Sequence, residues 1–207
     1  VESVSPTLGG EQLRVGLIAG LIGLGVVALY AIFYYRALGL VVLGSLVIAL
    51  SMTYAAMVLL GTAVGFTLSL PAIAGAIVGI AVTADSFVIF FERIRDEVRD
   101  GRSLRSSVLS GWKKARGTIV IADCVSLLSA IVLYVLAVGG VQGFAFALGL
   151  TTLIDLVVVF WFTKPMVMLL GRTKFFGSGH VLSGMSARHL GVTQQSLLGR
   201  RHRRKEA

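Results

Sequence analysis

The sequence predicts an all-α fold, a polytopic membrane bundle of five transmembrane helices with one further amphipathic helix in the membrane interface. Of its 207 residues, 56% are hydrophobic, and the mean hydropathy is +0.90. Only 14% are charged, against about 25% in a typical soluble domain, so there is too little polar surface to face water. The uncharged runs are also long enough to cross a bilayer, whose roughly 30 Å of hydrocarbon takes about 20 helical residues. A net charge of +9 would suit a nucleic-acid partner, but the basic residues sit in gaps between apolar runs and in the final stretch. That is the pattern of cytoplasmic loops, and no nucleic-acid binding is expected.

Residues 1–12 read as a short extracytoplasmic stub, with Pro6 and Gly9-Gly10 predicting a non-helical approach. The chain opens at Val1 without a signal-peptide pattern, which leads us to expect a fragment whose upstream region carried this end across the membrane. The bundle itself is predicted over 13–171. Its first span, 14–36, holds 21 uncharged residues between Arg14 and Arg36, with Gly16, Gly20 and Gly23 as small residues for helix packing. Tyr30, Tyr34 and Tyr35 gather at its far end, where aromatic rings favour the interface.

No charge occurs over 37–84. That length fits two helices, and Gly61, Gly65, Ser69 and Pro71 mark the break. The second span is then 38–60. The third is 70–92, with Pro71 in its first turn and a Gly75/Gly79 pair suited to close packing.

Residues 93–116 read as a cytoplasmic helical loop. Its second part repeats Leu104, Val108 and Trp112 at i, i+4, i+8, with basic residues on the other faces, as a helix in the membrane interface would, the alternative being a solvated loop helix. The fourth span is 117–138 and the fifth 142–170, separated by Gly139-Gly140. Residues 172–207 form a basic, polar tail, expected to be disordered. Placing the basic loops and tail in the cytoplasm sets the first residue outside and the last inside.

Three acids interrupt the apolar spans: Asp85, Asp123 and Asp155. An ionisable group at such a position is costly and marks a site by default, most often for proton transfer. Asp85 is the strongest candidate, sharing one face with Ile89 and Glu92 at i, i+4, i+7. Asp155 lies below Thr151 and Thr152, whose hydroxyls are placed to solvate it, and the three acids together are able to line one polar seam. The alternative is a set of neutral, hydrogen-bonded carboxyls with no role beyond packing. Glu92, Arg93 and Arg95 read as the anchor where the third helix leaves the membrane. The lone Cys124 and scattered His180, His189 and His202 predict neither a disulfide framework nor a metal site. No phosphate loop, nucleophile elbow or zinc motif occurs, so neither an enzyme nor a bound cofactor is expected.

Two long motifs go further. VSPTLGGEQLRVGLIAGLIGLGVVALYAIFYYRALGL (4–40) closely resembles the second transmembrane region of SecD proteins, in the SecD/SecF family of protein-export membrane proteins. ADSFVIFFERIRDEVRDGRSLRSSV (84–108) is similar to that family's signature, in which an intramembrane Asp is followed seven residues later by Glu-Arg-Ile-Arg; GFAFALGL (143–150) resembles a segment of its last helices. Where many members have Asp-Ala-Asn, this chain has Asp85-Ser86-Phe87.

The resemblance implies one half of an RND-superfamily arrangement, helices two to six, preceded by a first helix and an extracytoplasmic domain. It implies a partner SecF, association with the SecYEG channel, and use of the proton motive force to complete translocation of SecA-dependent preproteins across the cytoplasmic membrane. It maps the family's proton-linked Asp to Asp85. An RND-type exporter of small molecules or lipids is the alternative reading.

Overall fold

The computed structural model describes residues 6–64 and 69–173, and all its regular elements are helical. They are α1 (Pro6–Tyr35), α2 (Ala37–Val64), α3 (Leu70–Arg99), α4 (Leu104–Leu136), α5 (Gly140–Val158), one π-helical turn (Val159–Thr163) and α6 (Lys164–Leu170). The last three run on as one rod, Gly140–Leu170, so that five helices are long and apolar enough to span a membrane.

Each corner has a local cause. α1 and α2 are separated by Arg36 alone, which adopts φ +54°. The turn is tight: a Cβ on Gly39 would stand 2.5 Å from the Ala31 carbonyl oxygen, so only glycine fits there. α3 starts at Ser69, whose Oγ accepts the Ala72 amide (3.4 Å), with Pro71 in the first turn where its missing N–H costs nothing. Gly101, at φ +81°, ends α3, and Ser103 caps α4 by accepting the Ser106 amide (3.4 Å). Gly139, at φ +61°, turns α4 into α5.

The helices differ from the predicted segments in three places. Pro6 begins α1 rather than breaking it, since a proline at a helix start removes no hydrogen bond, and Gly9-Gly10 continue it. Thus residues 6–12 are helical, not an irregular stub. Residues 104–116, separated in the sequence reading as an interfacial helix, are the first turns of the unbroken α4. Their apolar stripe also meets protein: Leu104, Val108 and Trp112 are buried, and Trp112 packs edge-on against Phe90 (5.2 Å) and Phe160 (4.9 Å). The third difference is the π turn in the fifth rod. Pro165 lacks the amide that would close an α-turn on Trp161. The Thr163 hydroxyl lies 2.9 Å from that of Ser45 on α2. The predicted tail lies, from residue 174 on, outside the described residues.

α3 is the central helix, packed against α1, α2, α4 and α5. Its first half is joined to α5 by small residues. A Cβ on Gly75 would run into the Phe144 carbonyl oxygen, and one on Gly79 into the Thr151 hydroxyl. Its second half carries large rings instead: Phe87, Phe90 and Phe91 are fully buried, with Tyr35, Trp112 and Ile94 around them.

Candidate functional site

The middle of the bundle holds a polar layer. Along an α-helix each residue advances about 1.5 Å. Ser86 is 16 residues from the start of α3, Asp155 is 15 from the start of α5, and Asp123 is 13 from the end of α4. All three therefore stand about 20–24 Å from the uncharged end of the bundle.

Asp155 is fully buried and its Oδ2 accepts a hydrogen bond from Ser86 Oγ at 2.8 Å. Thr83, one turn away and buried, stands beside the same carboxyl. Asp123 reaches into the layer from α4 with 1% exposure, near enough to feel the Asp155 carboxyl electrostatically. Among the described residues, both oxygens of Asp123 and Oδ1 of Asp155 have no hydrogen-bond partner. The nearest basic residues along these two helices are Arg116 and Lys164, seven and nine residues away. Neither carboxyl forms an ion pair among the described residues, and burying an unpaired charge costs several kcal/mol or more. A carboxyl in such a setting is chemically able to take up and release a proton.

The expected seam of three acids is only partly assembled. Asp123 and Asp155 come together, but Asp85 is exposed on the outer face of α3, with no hydrogen bond or ion pair among the described residues. Its neighbour Ser86 points inward instead and holds Asp155. Thr151 and Thr152 do not solvate Asp155 through their hydroxyls. Thr152 donates to the carbonyl of Leu148 (2.8 Å), and Thr151 to those of Ala147 and Leu148 (3.0 and 2.9 Å).

At the charged end, Arg95 is buried between the rings of Tyr34 and Tyr35, 4.7 Å from each centroid. Its guanidinium donates to Glu92 Oε1 (2.9 Å) and to the Tyr34 carbonyl (3.0 Å), while the Tyr35 hydroxyl donates to Glu92 (3.4 Å). This ties α3 to the end of α1. Arg93 is different: it is half-exposed and pairs with Asp96 at 3.9 Å.

A second buried acid here was missed in the sequence. Glu97 is fully buried and paired with Lys114 and with Arg102 (3.1 Å), joining α3 to α4. Gly111 lets these helices meet, since a Cβ there would stand 2.9 Å from the Ile94 nitrogen. The available signal was a small residue inside the Leu104–Val108–Trp112 stripe, which marks close helix approach. Among the described residues no group of three or more His, Cys, Asp or Glu is placed to hold a metal ion.

Known proteins share this sequence and fold. The family described as "Protein export membrane protein SecD/SecF, C-terminal" matches residues 1–173. The protein translocase subunit SecD of Streptomyces coelicolor is 56% identical over 192 residues, 93% of this chain and 34% of that protein. SecD of Mycobacterium tuberculosis is 52% identical over 200 residues, 97% of this chain and 34% of its own length. The chain thus spans about a third of the length of these curated relatives. Among solved structures, the crystal structure of SecDF, a translocon-associated membrane protein from Thermus thermophilus, superposes with a TM-score of 0.70 at 33% identity. That match covers 81% of this chain and 22% of the other. By sequence and by fold, the chain belongs to the SecD/SecF family of protein export membrane proteins and matches its C-terminal region.

Proposed function

We propose that the chain is the membrane part of a SecD-type translocase subunit that draws on the proton motive force to assist late steps of preprotein translocation. The observation that carries this reading is the Asp155–Ser86–Asp123 layer: two buried carboxyls without a cation, inside an apolar bundle. Each charge that crosses the membrane with the potential releases about 2.3 kcal/mol per 100 mV, enough to bias a small helix movement.

In this reading Asp123 and Asp155 hold the proton inside the bundle. Asp85 exchanges it on the face of α3 that the chain leaves uncovered, one peptide bond from Ser86. Gain or loss of a proton at Asp155 changes what Ser86 donates to, and so the seating of α3 against α5. Because α3 continues rigidly to the Glu92–Arg95 and Glu97–Lys114 locks, a shift at mid-membrane is carried to the charged end. The basic end faces the cytoplasm, as the excess of Arg and Lys there favours. The partners in this proposal are a SecF-type half, the SecYEG channel and SecA-dependent preproteins, within the cytoplasmic membrane. The domain limits proposed from the sequence are kept, with the helix ends revised as above.

The test is recovery of partners after gentle extraction of the full chain from its own membrane. SecF or SecY in the eluate supports the proposal. An outer component of an efflux system, with neither of these present, contradicts it.

A further inference from the structure

Buried residues recur every four places along the fifth rod: Ala147, Thr151, Asp155, Val159, Thr163 and Val167. Leu153, Val157 and Trp161 repeat the same step on its exposed face. An α-helix turns about 100° per residue, so each step of four overshoots a full turn by about 40°. Over the two steps from Asp155 to Thr163 the buried face of a regular helix would swing by about 80°. The π turn at Val159–Thr163 takes up one residue more than an α-turn and brings the face back by about 100°. Thr163 is thereby returned to within about 20° of Asp155.

Two groups hold the extra residue at this place. Thr163 Oγ1 lies 2.9 Å from Ser45 Oγ on α2 and donates to the Val158 carbonyl (3.3 Å), and both side chains are fully buried. The Pro165 ring would clash with the Trp161 carbonyl in an unbroken α-helix. A second turn suited to take the extra residue lies on the other side of Asp155. There the Thr151 and Thr152 hydroxyls already bond the carbonyls of Ala147 and Leu148, which loosens and bends a helix. Asp155 stands between the two turns.

We propose that the extra residue passes between these two turns, and that the stretch between them rotates by about 100° each time, carrying Asp155 from Ser86 of α3 to the side of α2. Each residue of the stretch then faces where its predecessor faces now. Asp155 takes the direction of Ile154, which packs with Ala49 of α2 in an apolar cluster. A neutral carboxyl suits that seat and an ionised one does not, since α2 carries no charged residue and burying an unpaired charge is costly. The ionised group keeps to the α3 side, where Ser86 donates to it. The titratable group facing Asp155 from α4 is Asp123, and α3 presents the hydroxyls of Ser86 and Thr83. Lys164, beyond the π turn, lies over the Trp112 ring instead. The proton therefore sets where the π turn stands, a step that rests on the proposed function of Asp155.

The test uses the full chain in nanodiscs, in a Cys124→Ser background, with spin labels at Val157 and Val125 or at Leu169 and Val125. A label about 5 Å from the helix axis moves by about 8 Å when its residue turns through about 100°. On acidification the Val157 pair should gain a second distance, shifted by up to about 8 Å, while the Leu169 pair keeps one. Deleting Trp161, which is 84% exposed, removes the extra residue without turning either flank, and should abolish the second distance. If that variant fails to fold, Thr163→Val, which cuts the tie to Ser45, should raise the second population about fivefold at a given pH, the equivalent of one neutral hydrogen bond. A single Val157 distance at every pH would overturn the proposal, as would a second distance that survives the deletion or is unchanged in Thr163→Val. A pH response that persists in Asp155→Asn would overturn the part given to Asp155. These distances are read without translocation, so they fail separately from the proposed function.

Discussion

Ser86 decides which carboxyl in this bundle is held from inside. Its hydroxyl donates to Asp155 Oδ2 at 2.8 Å. Replacing it by Ala removes a neutral hydrogen bond worth about 1 kcal/mol, so Ser86→Ala should fold and insert normally while weakening proton-dependent activity; circular dichroism melts in detergent separate the two effects. The Glu97 cluster gives an asymmetric prediction. Its two cations are half in water, with side chains 56% and 52% exposed, whereas the carboxylate is 1% exposed. Removing the acid lets both cations return to solvent. Removing Lys114 and Arg102 together strands a buried charge, at a cost of about 3–5 kcal/mol. The double change Lys114→Ala with Arg102→Ala should therefore lower the melting temperature more than Glu97→Gln does.

The sequence named all three intramembrane acids, but not which of them face inward. An α3 apolar on every side carries no periodic signal for its buried face, so Asp85, one position from Ser86, had equal claim to the interior. Glu97 was invisible for a different reason: amid alternating charges it read as one more solvated group, and its partner Lys114 lies across a helical hairpin.

At the scale of helices, the contact of α3 with α5 rests on residues without bulk. The sequence marks Gly75 and Gly79 as a pair suited to close packing, and each faces an atom of α5 where a methyl group does not fit. Gly79→Ala should force the helices apart, with a loss of about 1–3 kcal/mol. Ala on the open Gly23 should have little effect; a paired comparison of thermal unfolding checks both. The stripe on α4 shows how sequence and structure part company. Leu104, Val108 and Trp112 suggested a helix lying on lipid, but Ser107, Gly111, Ala115 and Ile119 are buried with them. That wider repeat is the seam of one helix packed on another. Its signal was present in the sequence and was outweighed by the basic residues between.

At the scale of the molecule, the five spans were legible because crossing a bilayer sets a minimum length of apolar helix, and turn residues mark where each ends. What lies against the outside was not legible. α1 and α4 bury little of their apolar length, and Asp85 is exposed on α3, so what borders them in the membrane lies outside the packing of these five helices. The proposed orientation has a direct check in a Cys124→Ser background. In intact cells an impermeant maleimide should label a cysteine placed at Val138, in the turn between α4 and α5, and spare one placed at Arg102, between α3 and α4.

The central claim is that protons act through the intramembrane acids. The most direct measurement is proton-driven completion of preprotein translocation in inverted membrane vesicles holding matched, folded amounts of Asp85→Asn, Asp123→Asn or Asp155→Asn. Asn keeps the shape, and at position 155 a hydrogen bond with Ser86, but cannot exchange the proton. The account predicts that each loses most of the stimulation by the proton gradient, by about tenfold or more, while ATP-driven early translocation is unchanged. Stimulation at the unsubstituted level in all three variants would contradict it.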